Sequence, residues 1–280
     1  MSELPLQVRR LVNRQEPIEV DGHVLYPIRV SEYEEYLIAR PAIEFMQQRL
    51  PVALMSVPLL QAYWTVDLES IEDDKLPAGL LYRAMLFLAL SLRLGEGMEP
   101  TERINLFRPR IDPKDRKRLL GLVYLYDGEE WREITPMSFQ RMRPILAAQN
   151  GIELMPDTAN PELVQAERDL RERNAMKLDA NLESMVSTVA TFSGVTETTI
   201  YDEWTVLQLQ NRQQAIVRLL DYLICGIGET QGTKWKGGNP VPSPFFDRTK
   251  EGSPALVSLE SFAGGAARGA VTEQDTPTDE

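Results

Sequence analysis

The sequence predicts a mainly α fold with minor β (α+β): helical bundle-like units, two short β-hairpins and a flexible C-terminal extension. Three observations carry that prediction. Most apolar residues recur at three- and four-residue spacings. Alternation by twos is confined to two short regions, each centred on an Asp-Gly pair. Beyond Gly226, glycine and proline displace both periods. With 280 residues, 43% of them hydrophobic, the chain can bury a substantial core in one or two domains.

Taken in order, Ile18-Glu19-Val20, Asp21-Gly22 and Val24-Leu25-Tyr26 read as a hairpin, because Asp-Gly accommodates the positive φ angles of a tight turn. Ser31 with Glu34 is a capping-box pair opening a helix to about Leu50. Tyr33, Tyr36, Leu37, Ile43 and Phe45 form its apolar face, with Pro41 as a break or kink. A second helix spans Pro51–Ser70 with Pro58 inside it. Pro77 opens a third, strongly apolar helix to Leu94, ended by Gly95-Glu96-Gly97. A strand over Ile104–Arg110 lies beside a second hairpin, Leu119–Tyr126 and Glu130–Ile134 around Asp127-Gly128. Pro136–Asn150 returns to helix and stops at Asn150-Gly151.

Asn160-Pro161-Glu162 starts a charged helix to about Leu178, whose RDLRER run is a solvated surface. Asn181–Ser193 is a short helix ending at Gly194. Thr196-Glu197-Thr198-Thr199 caps one long amphipathic helix to about Ile224. Its apolar face is Ile200, Trp204, Leu207, Ile216, Leu219, Leu220 and Leu223, with Trp204 in the core. The expected organisation is an N-terminal helical domain with both hairpins (1–150), a smaller helical unit (160–228) and a flexible tail (229–280). That tail is rich in Gly and Pro, and its last eight residues hold four acids and no base.

Composition excludes several functions. A net charge of -12 and a pI near 4.8 repel nucleic acid and anionic membranes, so neither is expected as a partner. Cys225 is the only cysteine and His23 the only histidine, too few for a typical zinc site or an oriented Cys–His nucleophile. A lone cysteine also fits a reducing cytoplasm. The expectation is therefore no catalytic residue, no metal and no cofactor. His23, just after the Asp-Gly turn, is expected to be exposed, and Cys225 to be a small buried hydrophobe. Met1–Gln15 lacks the apolar core of a signal peptide. Val52–Val66 and Ala78–Leu94 are short for membrane spans and read as buried helices.

The acid pairs Glu34-Glu35, Asp73-Asp74 and Glu129-Glu130 are adjacent in sequence, which on a helix points them about 100° apart. Two-carboxylate hydrolysis needs acids converging from separate elements, so a hydrolase is a remote alternative. Gly232–Gly238 lacks the spacing of a phosphate loop. Trp235 between Lys234 and Lys236 suits base stacking in isolation, but the net charge argues against it. More telling are the large apolar residues of the tail. Trp235, Phe245, Phe246, Leu256 and Val257, followed by Leu259 and Phe262, sit in a segment too poor in periodic structure to bury them alone. They are candidate partner-binding residues, the alternative being that they pack on the chain's own surface.

GHVLYPIRVSEYEEYL, LPVALMSVPLLQAYW, MVSTVATFSGVTETTIYDEWTVLQLQNRQQAIVRLLDYLICGIGE and WKGGNPVPSPFFDRTKEG, in that order, resemble tail assembly chaperones of tailed, siphovirus-like phages and prophages of Gram-positive bacteria. The resemblance covers most of residues 18–265. It implies a helical, non-enzymatic protein that coats the tape measure protein during tail assembly in the bacterial cytoplasm, and is absent from the finished virion. Self-association is a further possibility it leaves open. The alternative within the same setting is a permanent tail component, an adaptor or baseplate protein.

Overall fold

A computed structural model describes residues 4–70, 79–126, 128, 130–155, 160, 162–164, 166, 169–170 and 181–233. Over these the chain is mainly helical with two small antiparallel sheets. Residues 4–155 and 181–233 belong to one compact unit. The described positions between 160 and 170 belong to another, where Asn160 opens a helical turn by accepting from the Glu162 and Val164 amides.

Helix α1 (Leu6–Arg14) leads into the first hairpin, β1 (Ile18–Val20) and β2 (His23–Leu25), with Ile18 opposite Leu25. Asp21 and Gly22 both take positive φ, as the Asp-Gly signal predicts. The next helix is shorter than the sequence suggests. A 3-10 turn at Val30–Glu32 leads into α2 (Tyr33–Glu44), so the expected Ser31–Glu34 capping box does not form. Pro41 lies within α2, and Phe45 turns extended rather than continuing to Leu50. The carbonyls freed at the C-terminus are taken up from outside: Arg143 donates to Ile43 and Phe45, and the Tyr63 hydroxyl donates to Ala42.

The expected helix over 51–70 also divides. A 3-10 turn occupies Val52–Leu54, and α3 (Leu59–Glu69) starts only after Pro58, which is its N-cap rather than an interior residue. The Pro77 start falls outside the described residues. Helix α4 (Leu80–Ser91) follows Gly79 and buries nine side chains, including Leu86, Phe87 and Leu88, as an all-round apolar helix must.

The strand expected over 104–110 begins later. Ile104 closes a short helix, α5 (Pro100–Ile104), held by the nearly inaccessible Arg103, whose guanidinium is 2.8 Å from Glu32. The second sheet has the order β3-β4-β5: Arg108–Asp112, Asp115–Tyr126 and Glu130–Ile134. β4 starts four residues ahead of Leu119, where Asp115 pairs with Asp112 of β3, and the Gln61 side chain on α3 bonds to both the Lys117 carbonyl and the Leu119 amide. Helix α6 (Pro136–Gln149) is capped by Thr135, whose hydroxyl oxygen accepts from the Ser138 amide.

The main core joins α2, α3, α4, α6 and β4 around Tyr36, Tyr63, Phe87, Tyr124 and Phe139, all fully buried. Each buried tyrosine hydroxyl has a partner: the Asn150 carbonyl for Tyr36, the Ala42 carbonyl for Tyr63, and His23 for Tyr124.

After 181 the chain forms α7 (Leu182–Ser193), bounded by Asn181 at its N-cap and left-handed Gly194. The single helix expected from 196 to 224 is two. α8 (Glu197–Glu203) ends at extended Trp204, and α9 (Val206–Thr230) restarts with a full capping box between Thr205 and Gln208. The break lets residues 204–206 pair with the strap at 28–30. The Val30 amide donates to the Trp204 carbonyl at 2.9 Å, and the Val206 amide to the Ile28 carbonyl at 2.9 Å.

Candidate functional site

A second apolar cluster forms where α7, α8 and the first half of α9 meet. It comprises Val30, Met185, Val186, Val189, Ile200, Leu209 and Ile216, with Trp204 half-buried against it. Val206 of α9 sits in the main core instead, so the start of this helix is anchored in both clusters. At 3.6 residues per turn, Val206, Leu209 and Ile216 share one face of α9.

That face does not stop where its cover stops. Leu220, Leu223, Ile224 and Ile227 fall on the same stripe, about 16 Å further along the helix at its far end. Ile216 is 6% exposed, whereas Leu223 is 48%, Ile224 64% and Ile227 56% exposed. Val217, Leu219, Leu220 and Tyr222 on the same half are exposed as well. The apolar period of α9 is thus satisfied by neighbours over its first half and left open to water over its second. A contiguous run of large apolar side chains on one exposed helix is the mark of an interaction surface.

The sequence identified Leu219, Leu220 and Leu223 as part of this apolar face, and the structure leaves all three exposed. Val217, Tyr222, Ile224 and Ile227 were not singled out. Their signal was present in the continuing apolar period beyond Ile216. Cys225, on another side of the helix, is buried as expected. The tail candidates Trp235, Phe245, Phe246, Leu256 and Val257 lie outside the described residues.

His23 corrects a second expectation. It is 4% exposed, not solvated, and its Nδ1 meets the Tyr124 hydroxyl. The Asp-Gly turn itself is at the surface, but His23, the next residue, packs against Tyr124 of β4. Burial lowers the His23 pKa, with the Arg132 charge acting in the same direction.

The carboxylates hold structure. Asp67 is raised above the ordinary carboxyl range by burial, and its two oxygens accept from the Leu80 and Leu81 amides at 3.0 and 2.8 Å. It therefore caps the N-terminus of α4 from across the α3–α4 connection. A polar cleft of about 340 Å³ collects Glu32, Glu35, Glu96 and Glu99 with Arg29 and Arg103. Glu32 is bound by Arg103 and Glu96 lies 3.8 Å from Arg29, which makes this an electrostatic clamp between α5 and the approach to α2. Of the acid pairs singled out in the sequence, Glu34 is exposed, Glu130 is paired with Arg132 at 3.0 Å, and Asp73, Asp74 and Glu129 lie outside the described residues. Among the described residues no group of three or more His, Cys, Asp or Glu side chains is placed to hold a metal, and no helix is long and apolar enough to cross a membrane. Comparison with known protein families, curated proteins and solved structures finds no match to this chain.

Proposed function

We propose that the protein is a phage tail assembly chaperone that binds and solubilises the tape measure protein during tail morphogenesis, in the cytoplasm of the bacterial host. The observation that carries this reading is the uncovered second half of α9. A long helical protein that is apolar when unassembled offers faces repeating at three and four residues, and an exposed apolar helix stripe is complementary to such a face. The stripe is short and open. That suits binding that must be reversed, whereas permanent interfaces commonly bury about 2,000 Å² or more in total. The net charge of -12 supplies the solubility that a complex of two apolar surfaces needs.

Co-expression with the tape measure protein of the same phage tests the reading. The wild-type chain should keep the tape measure in the soluble fraction. Leu220→Glu/Ile227→Glu should release it to the pellet with an unchanged circular dichroism spectrum. A tape measure that stays insoluble beside the wild-type chain refutes the proposal. Mass spectrometry of purified virions separates it from the permanent-component alternative: a chaperone is absent from the particle, whereas an adaptor or baseplate protein is present at fixed stoichiometry.

A further inference from the structure

The hairpin of β3 and β4 runs against the sign of the chain. Residues 108–118, RPRIDPKDRKR, hold six bases and two acids in a protein of net charge -12, and all six bases are exposed. Three of them are paired: Arg110 with Glu133 at 2.7 Å, Lys117 with Glu69 at 3.0 Å and Arg118 with Asp112 at 3.5 Å. Arg108 lies over the Trp131 ring, 4.9 Å from its centroid. Among the described residues, Lys114 and Arg116 have no carboxylate within ion-pair distance. Beside them is an open groove of about 430 Å³, lined by Trp64 and Leu68 of α3 and by Ile111, Asp112, Pro113 and Arg116 of the hairpin. We propose that this groove docks a short acidic segment of a partner protein. One apolar side chain of the segment sits between Trp64, Leu68, Ile111 and Pro113, and its carboxylates meet Arg116 and Lys114. The site shares no residue with α9 and does not rest on the chaperone reading.

The groove is held in shape by α3. Gln61, Trp64 and Leu68 share one face of that helix. The Gln61 side chain donates to the Lys117 carbonyl at 2.7 Å and accepts from the Leu119 amide at 2.6 Å, while the Trp64 indole donates to the Arg116 carbonyl at 3.1 Å. The acids of the hairpin are spent on its own backbone: Asp112 accepts from the Lys114 amide and Asp115 from the Lys117 amide, each at 2.9 Å. A wall fixed in this way has little ordering left to lose on binding. Charge and shape then select the occupant. Four of the six lining residues are apolar, so the groove rewards an apolar anchor, which a bare anion lacks. The planar fork of the Arg116 guanidinium matches a carboxylate. A short segment meets only the hairpin, whereas a nucleic acid carries charge at every nucleotide into the field of an acidic chain. Bases and proline on an edge strand also discourage edge-to-edge pairing, but that role needs no groove beside them.

The test titrates the full chain into fluorescein-labelled probes and follows anisotropy. The probes are three octapeptides, alternating glutamate with leucine, glutamate with serine and lysine with leucine, and a short DNA in single- and double-stranded form. The expected result is saturable binding of the glutamate–leucine peptide, with every other probe weaker by about tenfold or more. Lys114→Gln/Arg116→Gln should weaken that binding several-fold with an unchanged circular dichroism spectrum. Arg9→Gln/Arg10→Gln, which removes two exposed bases from α1, should leave it unchanged. No saturable binding of the glutamate–leucine peptide overturns the proposal. So does equal binding of the glutamate–serine peptide, which would mean that the groove takes no anchor, or of the lysine–leucine peptide, which would mean that charge plays no part. DNA binding as tight as the peptide's would make the hairpin a polyanion surface instead. Equal losses from the hairpin and α1 variants would show that overall charge, not this site, is being read.

Discussion

The Nδ1 of His23 lies 2.6 Å from the hydroxyl of Tyr124, although the two residues are 101 positions apart in the chain. The contact is buried and ties the first hairpin to the central strand of the second sheet. Burial holds the His23 pKa below its usual value. Arg132 adds to the effect, while a backbone hydrogen bond at Glu133 and the charge of Asp21 oppose it. Burial likewise pushes the Tyr124 hydroxyl up to about 12.

The fold therefore selects the neutral imidazole, whereas the unfolded chain takes up a proton near pH ~6.5. Stability from His23 is fully present above that pH and is lost as pH falls through the lower folded-state value. Thermal melting at pH 7.5 and 5.5 should show a larger drop for the wild type than for His23→Gln. Equal drops in the two proteins would mean that His23 titrates alike folded and unfolded.

Asn150 links three elements. Its side-chain oxygen accepts from the Ile28 amide at 2.9 Å, its side-chain nitrogen donates to the Leu146 carbonyl at 2.8 Å, and its own carbonyl accepts from Tyr36. Asn150→Ala leaves the buried Ile28 amide without a partner and is expected to cost about 1–3 kcal/mol. Urea unfolding monitored by circular dichroism measures it, and a loss below about 0.5 kcal/mol would mean the strap finds another acceptor.

Arg143 closes the C-terminus of α2 through the Ile43 and Phe45 carbonyls at 2.9 and 2.6 Å. Replacement by Met keeps the aliphatic stem and removes the donors. We expect a loss of about 1–3 kcal/mol in chemical denaturation. An unchanged midpoint would show that the ends of α2 are satisfied without it.

The two halves of α9 should answer oppositely to substitution. Ile216→Ala empties a packed site and should cost about 2–4 kcal/mol. Ile224→Ser, at a position 64% exposed, should stay within about 0.5 kcal/mol while impairing retention of the tape measure. Comparable losses from both would mean that the distal half is covered in solution by something firmly bound.

Much of the fold was legible where local chemistry decides. Asp21-Gly22 dictates its turn, Asn181 and Gly194 bound α7, and Thr135 caps α6. The break at Trp204 was also written locally, in Thr205 and Gln208, but the apolar period running through it hid the signal. What local chemistry does not contain was missed. His23 is buried by a tyrosine from a distant strand, and α2 stops at Glu44 because α3 and α6 supply donors to its end. The candidate site was half legible. Periodicity tells which side of α9 is apolar, but how far a neighbour runs alongside it depends on the length of α7.

The pairing of the strap at Ile28–Val30 with Trp204–Val206 has a kinetic side. It joins segments about 175 residues apart through two backbone hydrogen bonds and the valines that flank them. A contact of that sequence separation cannot reward the chain until the ring closes, so it belongs to the late stages of folding. The entropy of closure grows only logarithmically with the length enclosed, each doubling adding about 0.6 kcal/mol. Residues between 156 and 180 lie inside that ring, so insertions there should slow the docking of α7–α9 modestly while barely shifting the equilibrium.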